Sequence, residues 1–482
     1  MNHRRGLDRH QTLLLPERLE DYIAPDNPVR FLDAFVASLD VRALGFAHAV
    51  VQNTGSPPYD PADLLRLYLY GYLHRVRSSR LLEAECHRNV EVLWLLGKLA
   101  PDHKTIADFR KDNRRALAGV ARQFTLLCRK LELFGGQLAG IDGTKLAAVN
   151  SKEANFNEKK LAELIGRADA RLAEYLQQLD QADAAEPASA KPSRVELEEK
   201  IAALREKQDW HEELRAQLDA DQKQISTTDA DARRMRGGGG GRVVGYNAQA
   251  AVDAKHKLIA AAAVTHAEND LQQLANLARQ AKENLGVEQL EVVADQGYYN
   301  NSEVRACLDQ HITPYIAKPD TSANSSLGLF GKSRFQYDAA KDVYVCPAGK
   351  ELTHRFNTEE LGRQLRYYRA SDCRSCALKK QCTRNRGNRT ITREADEALM
   401  EAMAARVAAA PEKMRLRKAL CEHPFGTLKR FFGYTYFLVK GLAKVRCEWS
   451  LMTLVYNLKR VLNLVSFETL MAAVGVQTPR RA

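Results

Sequence analysis

A change of texture at Gly135-Gly136 constrains this chain more than any other feature. Before it, apolar residues recur at helical spacing and strand signals are few. The run ADLLRLYLYGYLHRVRSSRLLEAECHRNVEVLWLLGKL after Pro61 can bury one face of successive helices. Pro61 suits a first helical position, Ser78-Ser79 can cap the next helix, and Thr105 a further one. That further helix would carry Arg110 and Lys111, with Arg114 and Arg115 close behind. Short helices ending in a basic one fit a helix-turn-helix-like DNA-binding module. An ordinary helical bundle with a solvated basic face fits equally well. Residues 1–133 are thus expected to be an all-α domain.

After the glycines the chain alternates. QLAGIDGTKLAAV, Gln137 to Val149, reads as a short strand holding Asp142. Val243–Val252 and Leu258–Val264 can pair as a hairpin across DAKHK. Asn269–Leu285 reads as a helix, and Leu290–Ala294 as a buried strand that ends at Asp295. Strand, strand, helix, strand with acids at strand ends predicts an α/β core over 134–465. Two segments interrupt it. Residues 151–230 carry two amphipathic periodicities joined by QADAAEPASAKPS, which predicts a helical hairpin. This hairpin has 12 basic and 18 acidic residues, which argues against its being the main grip on DNA. Residues 320–410 are basic and hold Cys346, Cys373, Cys376 and Cys382. The glycines at 237–241 read as a flexible loop; no GK[ST] follows them, so a phosphate cradle is disfavoured. Residues 466–482 form a tail.

Charge narrows the partners. The whole chain has 72 basic and 60 acidic residues, a net charge of +12, which points to a polyanion such as nucleic acid or to a plain basic enzyme. No run of about 18 apolar residues suggests a membrane span, and the charged N-terminus lacks a signal-like apolar stretch. A cytoplasmic protein is expected, where nine cysteines are better read as buried thiols or metal ligands than as disulfides.

Three carboxylates stand out by context: Asp142, Asp295 and Glu422, the last in a basic, aromatic segment. An acid at the end of a buried strand is costly unless it meets a cation or a metal. Three converging carboxylates could hold one or two Mg²⁺ ions, because hard cations prefer oxygen. Taken singly, an Asp-Gly after a strand is more often a turn.

The motifs in order resemble those of the DDE transposases of bacterial insertion sequences, most of all the IS1182 group, related to the IS4 and IS5 types. Glu422-His423-Pro424-Phe425-Gly426-Thr427-Leu428-Lys429-Arg430 carries most of the likeness, with Phe437-Leu438-Val439-Lys440-Gly441 and Tyr456-Asn457-Leu458-Lys459-Arg460 behind it. Ile141-Asp142-Gly143-Thr144-Lys145 and Ala294-Asp295-Gln296-Gly297-Tyr298 resemble the first and second acidic motifs. Tyr246-Asn247-Ala248-Gln249 resembles the strand between them, and Pro61–Leu65 and Thr105–Arg110 resemble the N-terminal module.

The resemblance implies a core like that of RNase H, a mixed sheet flanked by helices. It implies Asp142, Asp295 and Glu422 as ligands for Mg²⁺ or Mn²⁺, with two ions expected, and Lys429 as a phosphate contact. The implied partners are terminal inverted repeats and target DNA, handled by a homodimer in the cytoplasm at the nucleoid. Around the Glu the family pattern reads Tyr, Arg, Glu, Lys; here Arg415 and Lys418 stand at the first two positions. Lys418 keeps the charge but lacks the bidentate fork of Arg. Lys429, Arg430, Arg415, Lys418, Arg110 and Lys111 are the expected DNA contacts. Pro424 places Glu422 near a helix end or bend. His423 is read as structural before metal neighbour or phosphate contact.

Cys373-x2-Cys376 is the usual half of a tetrahedral Zn²⁺ site. Cys382 and the upstream Cys346 complete an irregular set, with unliganded cysteines as the alternative. Arg363–Arg389 holds 9 basic residues and 1 acidic, a density suited to phosphates. A metal nuclease that cuts without joining, or a transposase relic that only binds DNA, are the rival functions.

Overall fold

The computed structural model describes residues 18–51, 57–150, 153–184, 194–218, 223–237, 240–319, 324, 327–360 and 363–476. Six helices come first: α1 (Pro28–Ala37), α2 (Pro61–Leu73), α3 (Ser79–Arg88), α4 (Val90–Leu95), α5 (His103–Asp112) and α6 (Arg114–Lys130). Pro28 and Pro61 occupy first turns, where a missing N–H costs nothing. Two expected caps differ. Asp102, not Thr105, caps α5 by accepting from the N–H groups of Lys104 and Thr105 at 2.8 and 2.9 Å. Ser78 stands at the start of α3 but its hydroxyl makes no capping bond.

The second half is built on one mixed sheet. Its strands are β1 (Leu138–Ala147), β4 (Arg233–Arg236), β5 (Arg242–Asp253), β6 (Ile259–Thr265), β7 (Leu290–Ala294) and β8 (Ile312–Ile316). The short strands β2 (Asn155–Asn157) and β3 (Gln224–Ser226) pair separately. The order runs β5-β1-β7-β8, with β4 and β6 sharing the outer edge of β5. β1, β5 and β6 are antiparallel neighbours, whereas β7 and β8 run parallel to β1. The expected hairpin is therefore present, with Val252 opposite Ile259.

Helices α7 (Glu158–Ala184) and α8 (Arg194–Ala216) pack antiparallel between β2 and β3, tied by Arg215–Glu158 and Gln208–Asp169. The loop expected at 181–193 begins later, because α7 continues through Ala184; residues 185–193 lie outside the described residues. The glycine run closes the β4–β5 hairpin, where the Gly237 N–H donates to the Gly241 carbonyl at 2.7 Å; Gly238 and Gly239 lie outside the described residues. The helix expected from Asn269 begins later, as α9 (Leu274–Leu285), because Asp270 is held by side chains of the sheet. Then comes α10 (Asn301–Leu308).

The Cys-rich stretch forms a second sheet, an antiparallel meander of β9 (Gln336–Asp338), β10 (Val343–Val345), β11 (Glu351–Glu360), β12 (Arg363–Ala370) and β13 (Thr390–Glu394). A one-turn helix, α11 (Lys379–Cys382), lies between β12 and β13. Helix α12 (Glu397–Ala409) returns to the core, burying Met400 and Met403 beside Leu277 and Val304. Helices α13 (Pro411–Gly426), α14 (Leu442–Leu464) and α15 (Phe467–Ala473) complete the chain.

Period-two alternation divides the main sheet. Ala139 and Ile141 face α9, while Leu146, Tyr246, Ala248 and Ala250 join the cluster that includes α14. That cluster is shared with the N-terminal helices: Trp449, Leu451, Leu454 and Leu458 are buried with Phe31, Leu65, Leu117 and Phe124. Leu470 and Met471 of α15 belong to it too. The two halves also meet through one buried charge pair, Arg77–Glu448 at 3.2 Å.

Candidate active site

Asp142 lies inside β1, not in a turn. Gly143 makes this possible: any Cβ there would collide with the Gln249 side-chain amide, which lies over β1 from β5. Asp295 follows the last residue of β7, the parallel neighbour of β1; Asp142, midway along β1, and Asp295 each stand two residues beyond the paired Gly140 and Val293, which sets them side by side. Asp295 caps the turn behind it, accepting from the Gly297 N–H at 2.8 Å. Asp142 accepts from the Gly143 N–H at 2.7 Å. Burial, with Asp295 and Asp270 adding to it, raises the Asp142 carboxyl from 3.8 to about 6, against the Gly143 N–H and Arg417. A pair of acids with too little positive charge between them is an arrangement that a hard cation would relieve.

Helix α13 lies across these strands. Gly140 lets it approach, since a Cβ there would stand 2.9 Å from Cys421 Sγ and 3.1 Å from Leu420 Cβ. Cys421 is buried, its thiol pushed up by that burial, with Asp142, Asp295 and Glu422 all acting on it. The three acids therefore surround one helix position without closing on one point. Glu422 itself is 65% exposed, with Lys418 Nζ 3.9 Å away. Among the described residues, no group of three or more His, Cys, Asp or Glu is drawn together tightly enough to hold a metal ion.

The cation nearest the acids is Arg417, one residue before Lys418; its Nη1 stands 3.8 Å from Asp142 Oδ2. The sequence analysis missed it. The signal was its i,i+4 spacing to Cys421, which faces the sheet. Pro424 sits within α13 and cannot donate to the preceding turn. The chain then runs into a π-helical turn, Thr427–Phe431, of the kind that re-aims side chains near functional sites. It points Lys429 back at the sheet, where Nζ donates to Thr144 Oγ1 at 2.5 Å. Burial lowers the Lys429 pKa, and Asp142 opposes that shift.

Behind the pair sits a polar network also missed in the sequence. Asp270 accepts from Lys145 Nζ at 3.0 Å, Asn247 Nδ2 at 2.6 Å and Gln249 Nε2 at 2.7 Å. Tyr298 closes it by donating to Gln249 Oε1. This network braces the strands that carry both acids.

Other expected contacts scatter. Arg415 and Arg430 are exposed, as is Lys111, which pairs with Asp108 at 3.5 Å. Arg110 is partly buried, turned over the Tyr68 ring with its Nη1 near the Tyr72 hydroxyl, which favours a packing role. His423 bonds the Tyr456 hydroxyl at 3.1 Å, and burial lowers its pKa: a structural role. Phe432, Tyr434 and Phe437 are buried, leaving Phe431 and Tyr436 exposed. Cys86, Cys128, Cys307, Cys421 and Cys447 are buried core thiols. No helix among the described residues is long and apolar enough to cross a membrane.

Two segments of the chain match known families. Residues 345–462 match the Transposase DDE domain, a segment holding Glu422 and Lys429 but beginning beyond Asp142 and Asp295. Residues 17–112 match a Transposase domain (DUF772). The two matches indicate a transposase of the DDE class. Their pairing indicates an insertion-sequence transposase of the IS1182-like type. No curated protein and no solved structure matches it.

Proposed function

We propose that this transposase binds the terminal inverted repeats of its element, cleaves there and joins the freed end to target DNA. The observation that carries the reading is the placement of Asp142 and Asp295 side by side on adjacent parallel strands, with the Asp142 pKa raised. The order β6-β5-β1-β7-β8, three antiparallel strands and then two parallel ones, supports an RNase H-like core. The oxygen donors suit Mg²⁺ or Mn²⁺: Asp142 and Asp295 would hold the ions and Glu422 would complete the set. Two such ions, when bound, activate the attacking oxygen and stabilise the leaving one at phosphorus.

The protein's own part is positioning. Lys429, braced on Thr144, offers a half-buried ammonium to the scissile phosphate. Arg417 offsets the charge of Asp142 before substrate arrives. Exposed Arg415, Lys418 and Arg430 flank the same helix and turn and would follow the DNA backbone. The N-terminal helices would hold the repeats, and two chains would pair on DNA because both ends must be handled together.

Plasmid nicking followed by strand transfer from a pre-cleaved end tests this. The expected result is both products, each requiring metal. Nicking without transfer would mean a nuclease. DNA binding with no metal-dependent product, unchanged by Asp142→Ala, would mean a relic.

A further inference from the structure

The second sheet gathers four thiols that the DNA chemistry does not use. Cys346 lies in the tight turn between β10 and β11, Cys373 and Cys376 follow β12, and Cys382 ends α11. All four line one pocket together with Phe330, Phe335 and Leu352. Residues 36 apart in sequence are thus brought to one place by the meander, with no disulfide among them.

The backbone around them is set to receive negative sulfur. The Lys350 N–H donates to Cys346 Sγ at 3.3 Å, and the Arg389 N–H points at Cys373 Sγ at 3.5 Å. The first bond is made by the turn Cys346-Pro347-Ala348-Gly349-Lys350. There Gly349 adopts φ +71°, its N–H donates to the Cys346 carbonyl at 2.8 Å, and the Cys346 N–H donates to the Lys350 carbonyl at 2.9 Å. N–H groups aimed at sulfur stabilise a thiolate over a thiol. Lys350, Lys379 and Arg389 also line the pocket, supplying positive charge.

We propose that Cys346, Cys373, Cys376 and Cys382 form a structural tetrathiolate Zn²⁺ site. Four thiolates are a soft donor set, and soft sets of tetrahedral geometry select zinc. Four Zn–S bonds form as four S–H protons pass to solvent, leaving a formal charge of minus two that the three neighbouring cations balance. The thiols surround the pocket more widely than a metal's bond lengths require, as the absence of any closed ligand group among the described residues records. Zinc would draw them inward and staple the β10–β11 turn to the segment after β12. Arg374, Lys380, Arg384 and Arg386, exposed around that segment, would then be displayed on a fixed frame. The proposal does not depend on the DNA chemistry above.

The test is metal content of the full-length chain, expressed with zinc and dialysed free of loose metal. The expected result is one zinc per chain, released when a mercurial titrates the thiols. Before release, alkylation mapped by mass spectrometry should spare these four cysteines. Cys373→Ser with Cys376→Ser should lose the zinc, whereas Asp142→Asn should keep it. Cobalt substitution should give the strong near-ultraviolet charge transfer of thiolate ligation. Four freely alkylated thiols in zinc-free wild type, a disulfide among them, or zinc retained by the double serine variant would each overturn the proposal. If that variant does not fold, the wild-type alkylation pattern decides.

Discussion

Asp142→Asn should make the metal-free protein more stable while abolishing cleavage. The Asp142 side chain is about a quarter exposed, and its carboxyl titrates at about 6 in the fold against 3.8 ordinarily. Below the lower value both folded and unfolded chains are protonated, and the acid costs nothing. Between the two, the unfolded chain ionises first, so stability falls as pH rises; above about 6 the cost is constant. At about 1.4 kcal/mol per pH unit that cost is about 3 kcal/mol, and partial exposure reduces it to about 2 kcal/mol. Asparagine does not ionise. In urea with chelator, the variant should therefore exceed wild type by about 2 kcal/mol near pH 8, and by a small fraction of that near pH 4. The same gain at both pH values, or none near pH 8, would refute the reasoning.

Other consequences follow from packing and charge. Arg77→Ala would leave the fully buried Glu448 without its ion-pair partner, held by the Leu438 N–H at 2.9 Å and the Arg110 charge, and should cost about 3 kcal/mol, read as a lowered denaturation midpoint; Arg77→Met with Glu448→Met should recover most of it. Gly140→Val should push α13 off β1 and cost about 1–3 kcal/mol, with cleavage falling further than stability because Arg417 and Glu422 move with the helix. Lys429→Ala should slow cleavage on the order of 10²-fold while the Kd for DNA changes little, measured by single-turnover kinetics beside a binding titration.

Much of the core was legible because its signals are local. β7 was read from Leu290 to Ala294, with Asp295 closing it, since a short apolar run ending in an acid has few other uses. β1 was legible as a strand, but the place of Asp142 within it was not: Gly143 suggests a turn until β5 lays Gln249 over it. The start of α9 was misjudged because Asp270 is claimed by Lys145, Asn247 and Gln249, residues remote in sequence. Asp102 and Thr105 are both cap-competent, and only the backbone geometry ranks them. Arg110 looked like part of a basic face; packing on the Tyr68 ring and the Tyr72 hydroxyl, about 40 residues earlier, turns it inward. Arg417 replaces Lys418 beside Asp142 for a similar reason, because the packing of Cys421 on Gly140 sets which way α13 faces. Helical periodicity says which residues share a face, not which neighbour that face meets.

The central claim is that Asp142, Asp295 and Glu422 work as one metal-dependent centre on DNA. Cleavage of a duplex carrying the element's own terminal repeat tests it most directly, with wild type run beside Asp295→Ala in Mg²⁺, Mn²⁺ and chelator. The expected result is a cut at the repeat end by wild type with either metal, lost in the variant and in chelator. A cut that survives Asp295→Ala, or that proceeds in chelator, would contradict the account.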